Sequence, residues 1–206
     1  MIRDVLVKVT IILRGYDYEQ VLTVMRALEG REKQYAVEIT LNSPDVFETI
    51  RKISATFGKK FLIGAGTVVN LQEAKEAIAA GAKFILSPVV IEKEILDVCK
   101  ANQVLSVSAA LTPTEVWYAY KAGSDAIKIF PATSVGVNYF QALKAPLGDI
   151  PLMAVGGISK ANAKAFLGKG ADFVGISSGI FEKADVVSKN VAALRKSLED
   201  FESSLH

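Results

Sequence analysis

Short apolar runs rich in β-branched residues alternate with longer amphipathic segments along the chain. The apolar runs predict eight strands, over residues 9–14, 36–41, 60–66, 83–88, 104–109, 126–131, 152–157 and 172–177. Apolar positions at helical spacing predict eight helices, over residues 17–29, 45–57, 71–80, 91–102, 113–122, 137–145, 160–168 and 184–202. Each predicted strand is therefore followed by a predicted helix.

Helix-start signals precede several of the amphipathic segments. Residues 112–115 form a capping box with proline in the first turn. Residues 43–45, Asn70 and Ser159 stand before three other predicted helices. Glycine follows several helices, as is typical of a helix C-terminus. These signals support the helix boundaries that periodicity predicts.

The alternation of strands and helices predicts the fold class. Strands that are apolar on both faces and alternate with helices are typical of a parallel sheet covered by helices. Eight such units predict an α/β protein with a (β/α)8 TIM barrel fold. No linker divides the sequence, so we expect residues 1–206 to form one barrel domain. A doubly wound open sheet is the alternative, which the lack of a GxGxxG motif after the first strand disfavours.

Charge and apolar content exclude two kinds of partner. Lys and Arg number 24 and Asp and Glu 22, which gives a net charge of +2. We expect no nucleic acid partner, because one would require a basic excess on one face. Hydrophobic residues make up 50% of the chain, but no apolar run approaches the roughly 20 residues that span a membrane. We therefore expect no membrane partner either.

Cysteine and histidine usage narrows the compartment and the chemistry. The first 15 residues carry four charges and no small-residue cleavage site, so we expect no secretory signal. Cys99 is the only cysteine and cannot form an internal disulfide, which favours a reducing cytoplasm. His206 is the only histidine, and we expect this terminal residue to be disordered. Histidine-based zinc sites and Ser-His-Asp triads are therefore not expected.

Two charged residues stand inside strands that are otherwise apolar. Lys128 lies between Ile127 and Ile129, so it points into the barrel if those two face the helices. Burial lowers the pKa of a lysine, and a neutral amine attacks carbonyl carbon. Glu38 has the same placement in its own strand and could form an acid/base pair with Lys128. The structural alternative is an ion pair that braces the barrel interior.

Polar and glycine-rich segments follow other strands, at the end where such barrels have their active sites. Arg14 ends the first strand, and its planar guanidinium is suited to bind a carboxylate or a phosphate. The alternative is that Arg14 is a surface residue. Thr67 follows two glycines and would reach the mouth of the barrel, although turn chemistry also explains the glycines. The segments 156–159 and 175–179 follow strands seven and eight, where barrels commonly bind phosphate.

The motifs, in this order, resemble those of a known family. They are IILRG, VEITLNSP, LIGAGTV, ILSP, LTPTE, AIKIFP, AVGGI and VGISSG. The sequence resembles the KHG/KDPG class I aldolases (2-keto-3-deoxy-6-phosphogluconate and 4-hydroxy-2-oxoglutarate aldolases) almost from end to end. The phrases LNSP, KIFP and AVGG are similar to the 2-keto-3-deoxy-6-phosphogalactonate branch.

The resemblance implies roles for nine residues. Lys128 would form the Schiff base, and Glu38 would be the general acid and base. Arg14 and Thr67 would bind the substrate carboxylate, and Pro88 and Phe130 would line the pocket. The phosphate would be bound by Gly156, Gly157 and Ser178. The resemblance also implies a homotrimer that uses no cofactor and no metal.

The implied reaction cleaves a phosphorylated 2-oxo acid. 2-Keto-3-deoxy-6-phosphogluconate, or its galactonate epimer, would give pyruvate and glyceraldehyde 3-phosphate. 4-Hydroxy-2-oxoglutarate would give pyruvate and glyoxylate. The sequence departs from the family pattern at Ser108-Ala109 and Val137, and we expect these departures to reshape the mouth. It also departs at Val155, where the gluconate-type enzymes of the family usually have threonine or serine. The choice of epimer and the direction of the reaction stay open at this point.

Two other functions fit the same residues. In a sugar-phosphate isomerase or epimerase, Glu38 would abstract a proton next to a carbonyl, and Lys128 would stabilise the enolate without a covalent bond. A non-catalytic barrel that binds a phosphorylated ligand is the second alternative. The fold alone does not separate these functions, because barrels host many chemistries.

Overall fold

Eight parallel strands close into a barrel in the computed structural model, which describes residues 2–205. The strands are β1 (Val9–Leu13), β2 (Tyr35–Thr40), β3 (Ile63–Gly66), β4 (Phe84–Leu86), β5 (Leu105–Ala110), β6 (Ala126–Ile129), β7 (Leu152–Val155) and β8 (Phe173–Ile176). Each strand pairs with the next along the chain, and β8 pairs with β1. The predicted (β/α)8 barrel is therefore confirmed. His206 lies outside the described residues.

Helices cover the outside of the barrel. They are α1 (Tyr18–Leu28), α2 (Val46–Phe57), α3 (Leu71–Ala79), α4 (Lys93–Ala101), α5 (Pro113–Ala122), α6 (Asn138–Leu147), α7 (Ala163–Gly168), α8 (Lys183–Val187) and α9 (Val191–Leu205). Short 3-10 helices cover Ile2–Asp4 and Ala132–Ser134. Within residues 2–205, no helix is long and apolar enough to cross a membrane.

The structure corrects two of the predicted helices. The segment 184–202 forms two helices, because Lys189 adopts a left-handed conformation with φ of 56° between α8 and α9. Helix α7 begins at Ala163 rather than at residue 160. Ser159 therefore lies in a turn, where its amide donates to Asn162 Oδ1 at 2.9 Å.

The other helix-start signals have mixed outcomes. The capping box between Thr112 and Glu115 is present. Asn70 Oδ1 accepts a hydrogen bond from the amide of Glu73 at 2.9 Å, as expected of an N-cap. Asp45 precedes α2, but it is in a left-handed conformation and its side chain makes no capping bond.

Alternate strand residues pack on opposite sides of the barrel wall. Residues such as Val37, Ile39, Ile127 and Ile129 belong to the large cluster between the strands and the helices. A smaller cluster includes the apolar side chains inside the barrel: Ile12, Ala36, Phe84, Leu86, Val107, Ala126, Met153, Val155 and Phe173. The residue between two outward-facing positions therefore points inside.

A charged network closes the N-terminal end of the strands. Asp172 directly precedes β8 and accepts hydrogen bonds from Arg3 Nε at 2.7 Å, Lys144 Nζ at 2.8 Å and the amide of Leu152 at 2.8 Å. Arg3 also forms a bidentate pair with Asp149, at 2.7 and 2.8 Å. The network joins the first turn of the chain to β7, β8 and α6.

Candidate active site

A cavity of about 560 Å³ lies at the C-terminal ends of the strands, which we call the mouth of the barrel. Seven of the residues that the sequence nominates line it: Arg14, Thr67, Pro88, Phe130, Gly156, Gly157 and Ser178. These residues follow six different strands, and barrel closure brings them to one place. Ser177, which follows β8, and Val155, the last residue of β7, line the same cavity.

The remaining two predicted residues lie inside the barrel. Lys128 on β6 is 5% exposed and Glu38 on β2 is 2% exposed. Their strands lie on opposite sides of the eight-stranded barrel, so both side chains enter the interior from facing walls. Lys128 Nζ lies 5.1 Å from the centroid of the Phe130 ring, which is at the mouth. The amine therefore lies close to a side chain that lines the cavity.

Burial sets the protonation of this pair. Loss of solvation raises the pKa of Glu38, against the opposing attraction of Lys128 and Arg14. Loss of solvation lowers the pKa of Lys128; the attraction of Glu38 opposes this, and the repulsion of Arg14 adds to it. Glu38 Oε2 is buried and has no hydrogen-bond partner among residues 2–205. Both shifts are towards the uncharged forms of the two groups, as is common for residues that exchange protons or act as nucleophiles.

A cation and two polar groups stand together at the β1–β3 side of the mouth. Arg14 Nη1 donates to Thr67 Oγ1 at 3.3 Å and to Asn42 Oδ1 at 3.4 Å. Thr67 has φ of 62°, which is strained for a β-branched residue and is typical of functional sites. Both bonds are long, so the guanidinium keeps donors available for an anion. Sequence reasoning missed Asn42; its position two residues after β2 was the available signal.

Glycines let two loops approach each other at the β7–β8 side of the mouth. Gly156 and Gly157 have φ of 95° and 75°, which favour glycine. A Cβ on Gly157 would lie 2.5 Å from Thr133 Oγ1, and Thr133 Oγ1 donates to the Gly156 carbonyl at 3.3 Å. A Cβ on Gly179 would overlap the carbonyl oxygen of Ile158 in the facing loop. Sequence reasoning missed Thr133, which becomes visible only from this contact.

The departures from the family pattern have different positions. The Ser108 side chain points away from the mouth: its Oγ lies 2.6 Å from Ser124 Oγ and accepts from the amide of Ile91 at 3.2 Å. Val137 packs against the cluster between strands and helices. Within residues 2–205, neither of these two side chains lines the cavity at the mouth. Ala109 is paired with Lys128 across the β5–β6 ladder, so a change of the mouth by the Ser108-Ala109 pair stays a prediction. Val155 lines the mouth directly.

Metal-ligating side chains are not gathered in the described part of the chain. Within residues 2–205, no group of three or more His, Cys, Asp or Glu residues is placed to hold a metal ion. The groups present at the site are an amine, a carboxyl group, a guanidinium, hydroxyls and backbone amides. This set can bind a doubly anionic small molecule and form an imine with its carbonyl group.

Fold and site together define a (β/α)8 barrel with a buried lysine and a mouth lined by a guanidinium and glycine loops. The model of the KDPG and KHG aldolase family matches residues 3–197. The chain belongs to this family. Aldolases are carbon–carbon lyases, and the chain is therefore an enzyme of that class.

Individual relatives agree with the family assignment. The chain is 33% identical to the 2-dehydro-3-deoxy-6-phosphogalactonate aldolase of Escherichia coli K12, over 86% of each chain. It is 32% identical to a probable enzyme of the same name from Rhizobium meliloti, over 89% of this chain and 88% of that one. A solved structure described as native KDPGal superposes with a TM-score of 0.84 at 30% identity, over 96% of this chain and 95% of that one.

Proposed function

We propose that the protein is a class I aldolase that cleaves 2-keto-3-deoxy-6-phosphogalactonate to pyruvate and glyceraldehyde 3-phosphate through a Schiff base on Lys128. The observation that carries the proposal is the burial of Lys128 opposite Glu38, directly below a mouth lined by a guanidinium and glycine loops. Burial lowers the pKa of Lys128 and so increases the fraction of neutral amine, which is the form that attacks a carbonyl carbon.

Imine formation is the first step of the proposed mechanism. The neutral amine of Lys128 attacks C2 of the substrate, and the oxygen of the ketone takes up a proton from Glu38. Glu38 then accepts the proton lost from the nitrogen and returns a proton to the C2 hydroxyl, which leaves as water. The product is an iminium ion on Lys128, whose positive charge draws electrons from the adjacent bonds.

Bond cleavage follows from this electron demand. Glu38 accepts the proton of the C4 hydroxyl, the C4–O bond becomes a carbonyl, and the electrons of the C3–C4 bond move into the iminium. Glyceraldehyde 3-phosphate leaves, and an enamine stays on Lys128. Protonation at C3 and hydrolysis of the imine release pyruvate and restore the amine. A carboxyl group with a raised pKa suits this alternation of donor and acceptor roles.

Substrate placement assigns the other residues of the site. Arg14 and Thr67 would bind the carboxylate next to the reacting ketone, because their donors meet at one side of the mouth. Backbone amides near Gly156, Gly157 and Ser178 would bind the distal phosphate. Pro88 and Phe130 line the space between. Contacts to the phosphate lie away from the reacting carbons and would orient them.

Preference for the galactonate epimer is supported by the relatives and by Val155. Both phosphogalactonate aldolases cover most of this chain, whereas the KHG/KDPG aldolase of Escherichia coli K12 aligns with 64% of it. Val155 places no hydroxyl at the mouth. A substrate hydroxyl contact contributes about 1 kcal/mol, so Val155→Thr should move the ratio of kcat/KM between the epimers roughly fivefold towards gluconate. An unchanged ratio would remove Val155 from this role.

4-Hydroxy-2-oxoglutarate, which lacks the phosphate, should be the poorest of the three substrates.

Assembly and compartment complete the proposal. The exposed apolar side chains include a group on α5 and the loops beside it: Val89, Val90, Leu111, Trp117, Tyr118 and Tyr120. We propose that this surface is buried in a homotrimer. Light scattering should give three times the 22.1 kDa chain mass, and Tyr118→Glu should give monomers.

The single, buried Cys99 supports a reducing cytoplasm as the compartment.

Trapping of the imine tests the mechanism. The natural protein incubated with pyruvate and borohydride should gain the mass of one reduced pyruvate adduct per chain, and Lys128→Ala should gain none. Lys93→Ala is the matched control, because Lys93 lies on α4 and pairs with Asp97, and it should be labelled normally. A correctly folded natural protein that gives no adduct would contradict the aldolase mechanism proposed here.

A further inference from the structure

The Glu38 carboxylate occupies space that a missing side chain leaves on the neighbouring strand. Gly66 is the last residue of β3, and the three atoms nearest to its Cβ position are Oε1, Cδ and Cγ of Glu38. A methyl group on Gly66 would overlap the carboxylate oxygen. Gly66 does not have the left-handed backbone that itself favours glycine. Room for Glu38 is therefore the requirement that the structure shows at this position.

Strand register explains why the carboxylate lies over Gly66. Glu38 is paired with Gly64, and Thr40 is paired with Gly66. The Glu38 side chain therefore leans diagonally across the ladder, towards the end of β3 that faces the mouth. A Cβ on Gly64 would overlap the ring of Phe84, so this ring fills the level below. The carboxylate can rise towards the mouth only because Gly66 has no side chain.

The charges around Glu38 give this position a chemical consequence. Lys128 on β6 and Arg14 after β1 are the charged groups that act on Glu38 within residues 2–205. Strand β2 lies between β1 and β3, and β6 lies across the barrel. A methyl group on Gly66 would point into the barrel interior, so it would push the carboxylate towards the opposite wall, where Lys128 lies. That move strengthens the attraction between the carboxylate and the amine, which the reaction needs in its neutral form.

We propose that Gly66 is a positioning residue for the reaction, because its missing side chain holds the Glu38 carboxylate apart from Lys128 and directs it towards the substrate at the mouth. The inference rests on the proposed function, which makes Lys128 the nucleophile and Glu38 the acid and base. Gly66 would act on the reaction only through Glu38. The inference predicts that a side chain as small as alanine is harmful at this position.

Gly66→Ala should separate this role from a general loss of structure. The displaced carboxylate stabilises the ammonium form of Lys128, so the midpoint of pyruvate trapping should move to higher pH by about one unit, a tenfold change in the reactive amine. The kcat should fall on the order of 100-fold, because the base is misplaced by an ångström or more. The KM should change much less, because the groups proposed to bind carboxylate and phosphate are untouched.

Matched variants make the test decisive. Gly168→Ala adds the same methyl group where, apart from its own helix and chain neighbours, no atom of residues 2–205 lies within 4 Å. It should leave the trapping midpoint, kcat and KM unchanged. The melting temperature of Gly66→Ala should be lower than that of the natural protein. In a Glu38→Ala background the same substitution should have little effect, because all three nearest atoms belong to Glu38. This comparison of stability works even where Gly66→Ala alone folds poorly.

Two results would overturn the inference. One is a folded Gly66→Ala protein with the trapping midpoint and kcat of the natural protein. The other is an equal loss of stability in the natural and Glu38→Ala backgrounds, which would mean that the methyl group meets something other than Glu38. Failure of the proposed function is distinct from both, because the natural protein itself would then form no adduct with pyruvate.

Discussion

Two groups of buried or half-buried charged residues lie towards opposite ends of the barrel. They differ in how fully the carboxyl group of each is hydrogen-bonded. At the N-terminal end, Asp172 accepts three hydrogen bonds at 2.7–2.8 Å, from Arg3, Lys144 and a backbone amide. Towards the mouth, Glu38 Oε2 has no hydrogen-bond partner in the described part of the chain, and Lys128 Nζ lies 5.1 Å from the centroid of the Phe130 ring.

The difference shows in the two carboxyl groups. Burial by itself would raise the pKa of Asp172, but the hydrogen bonds from Arg3, Lys144 and the Leu152 amide outweigh it, so that this pKa is lowered. At Glu38 burial outweighs the attraction of the cations, and the pKa is raised. The first arrangement stabilises the fold. In the second arrangement only the attraction of two cations opposes the effect of burial, which costs stability, as is common at active sites.

Removal of the buried amine should have the largest effect on activity and little effect on the fold. Lys128→Met keeps the length of the side chain, and it should lower the rate of aldol cleavage on the order of 10⁴-fold or more, because the covalent pathway is lost. The melting temperature should stay the same or rise, since a desolvated amine is replaced by an apolar chain. Release of pyruvate and calorimetry measure the two quantities. A variant that keeps a tenth of the activity would show that Lys128 is not the nucleophile.

Removal of the hydrogen-bonded carboxylate of Asp172 should lower stability and leave activity nearly unchanged. Asp172→Asn weakens the bonds to Arg3 and Lys144, and it should lower the free energy of unfolding by about 2 kcal/mol, less than for a fully buried pair because these side chains are partly exposed. The kcat should stay within about twofold, because Asp172 lies at the other end of the barrel. Denaturant titration gives the stability, and loss of activity without loss of stability would contradict the comparison.

The two carboxyl groups should also give opposite dependence of stability on pH. The pKa of Asp172 is lowered in the fold, so its contribution is present above about pH 4 and is lost as pH falls through the folded value. The pKa of Glu38 is raised, so its contribution is present below about pH 4 and is lost as pH rises through the folded value.

Glu38→Gln tests the predicted loss of stability at Glu38 as the pH rises. At neutral pH the variant should unfold with about 1 kcal/mol more free energy than the natural protein, and the difference should vanish as pH falls towards 4. Its kcat should fall between 100-fold and 10,000-fold, because the proton carrier is lost. Unfolding curves at pH 4, 5.5 and 7 are the measurement. A variant that is less stable than the natural protein at pH 7 would mean that Glu38 is satisfied after all.

Local patterns in the sequence predicted most of the fold and the content of the site. The eight strands follow from apolar runs, and Lys128 and Glu38 stand out because they interrupt such runs at inward-facing positions. Helix ends were less predictable, because the amphipathic pattern continues across Lys189, where the backbone alone turns and divides α8 from α9. A pattern of polarity reports which face is buried and not where the chain bends.

Contacts between distant segments could not be predicted in this way. Gly66 looks like part of a turn until the Glu38 side chain is placed against it. Thr133 and Asn42 likewise gain a partner at the mouth only when β6 meets β7 and β1 meets β2. Such contacts depend on register and on side-chain direction across the barrel, and a single sequence specifies neither directly.

The smallest expected effect concerns an unsatisfied hydroxyl below the site. Thr10 on β1 is fully buried, and no described residue hydrogen-bonds to its Oγ1. It lies two residues before Ile12, which pairs with Glu38. Thr10→Val replaces this hydroxyl by a methyl group of the same size. The variant should gain about 1 kcal/mol of stability, because no hydrogen bond is lost and a desolvation cost disappears.

A second threonine provides the control that makes this prediction specific. Thr40 is equally buried, but its Oγ1 donates to the Leu13 carbonyl at 3.3 Å and lies 3.4 Å from Ser43 Oγ. Thr40→Val should therefore lower the melting temperature, whereas Thr10→Val should raise it by roughly 2–4 °C. A loss at both positions would show that Thr10 is hydrogen-bonded in solution, through a buried water molecule. The unsatisfied region would then be confined to Glu38 and Lys128, and the stability cost of the site would come from its charges alone.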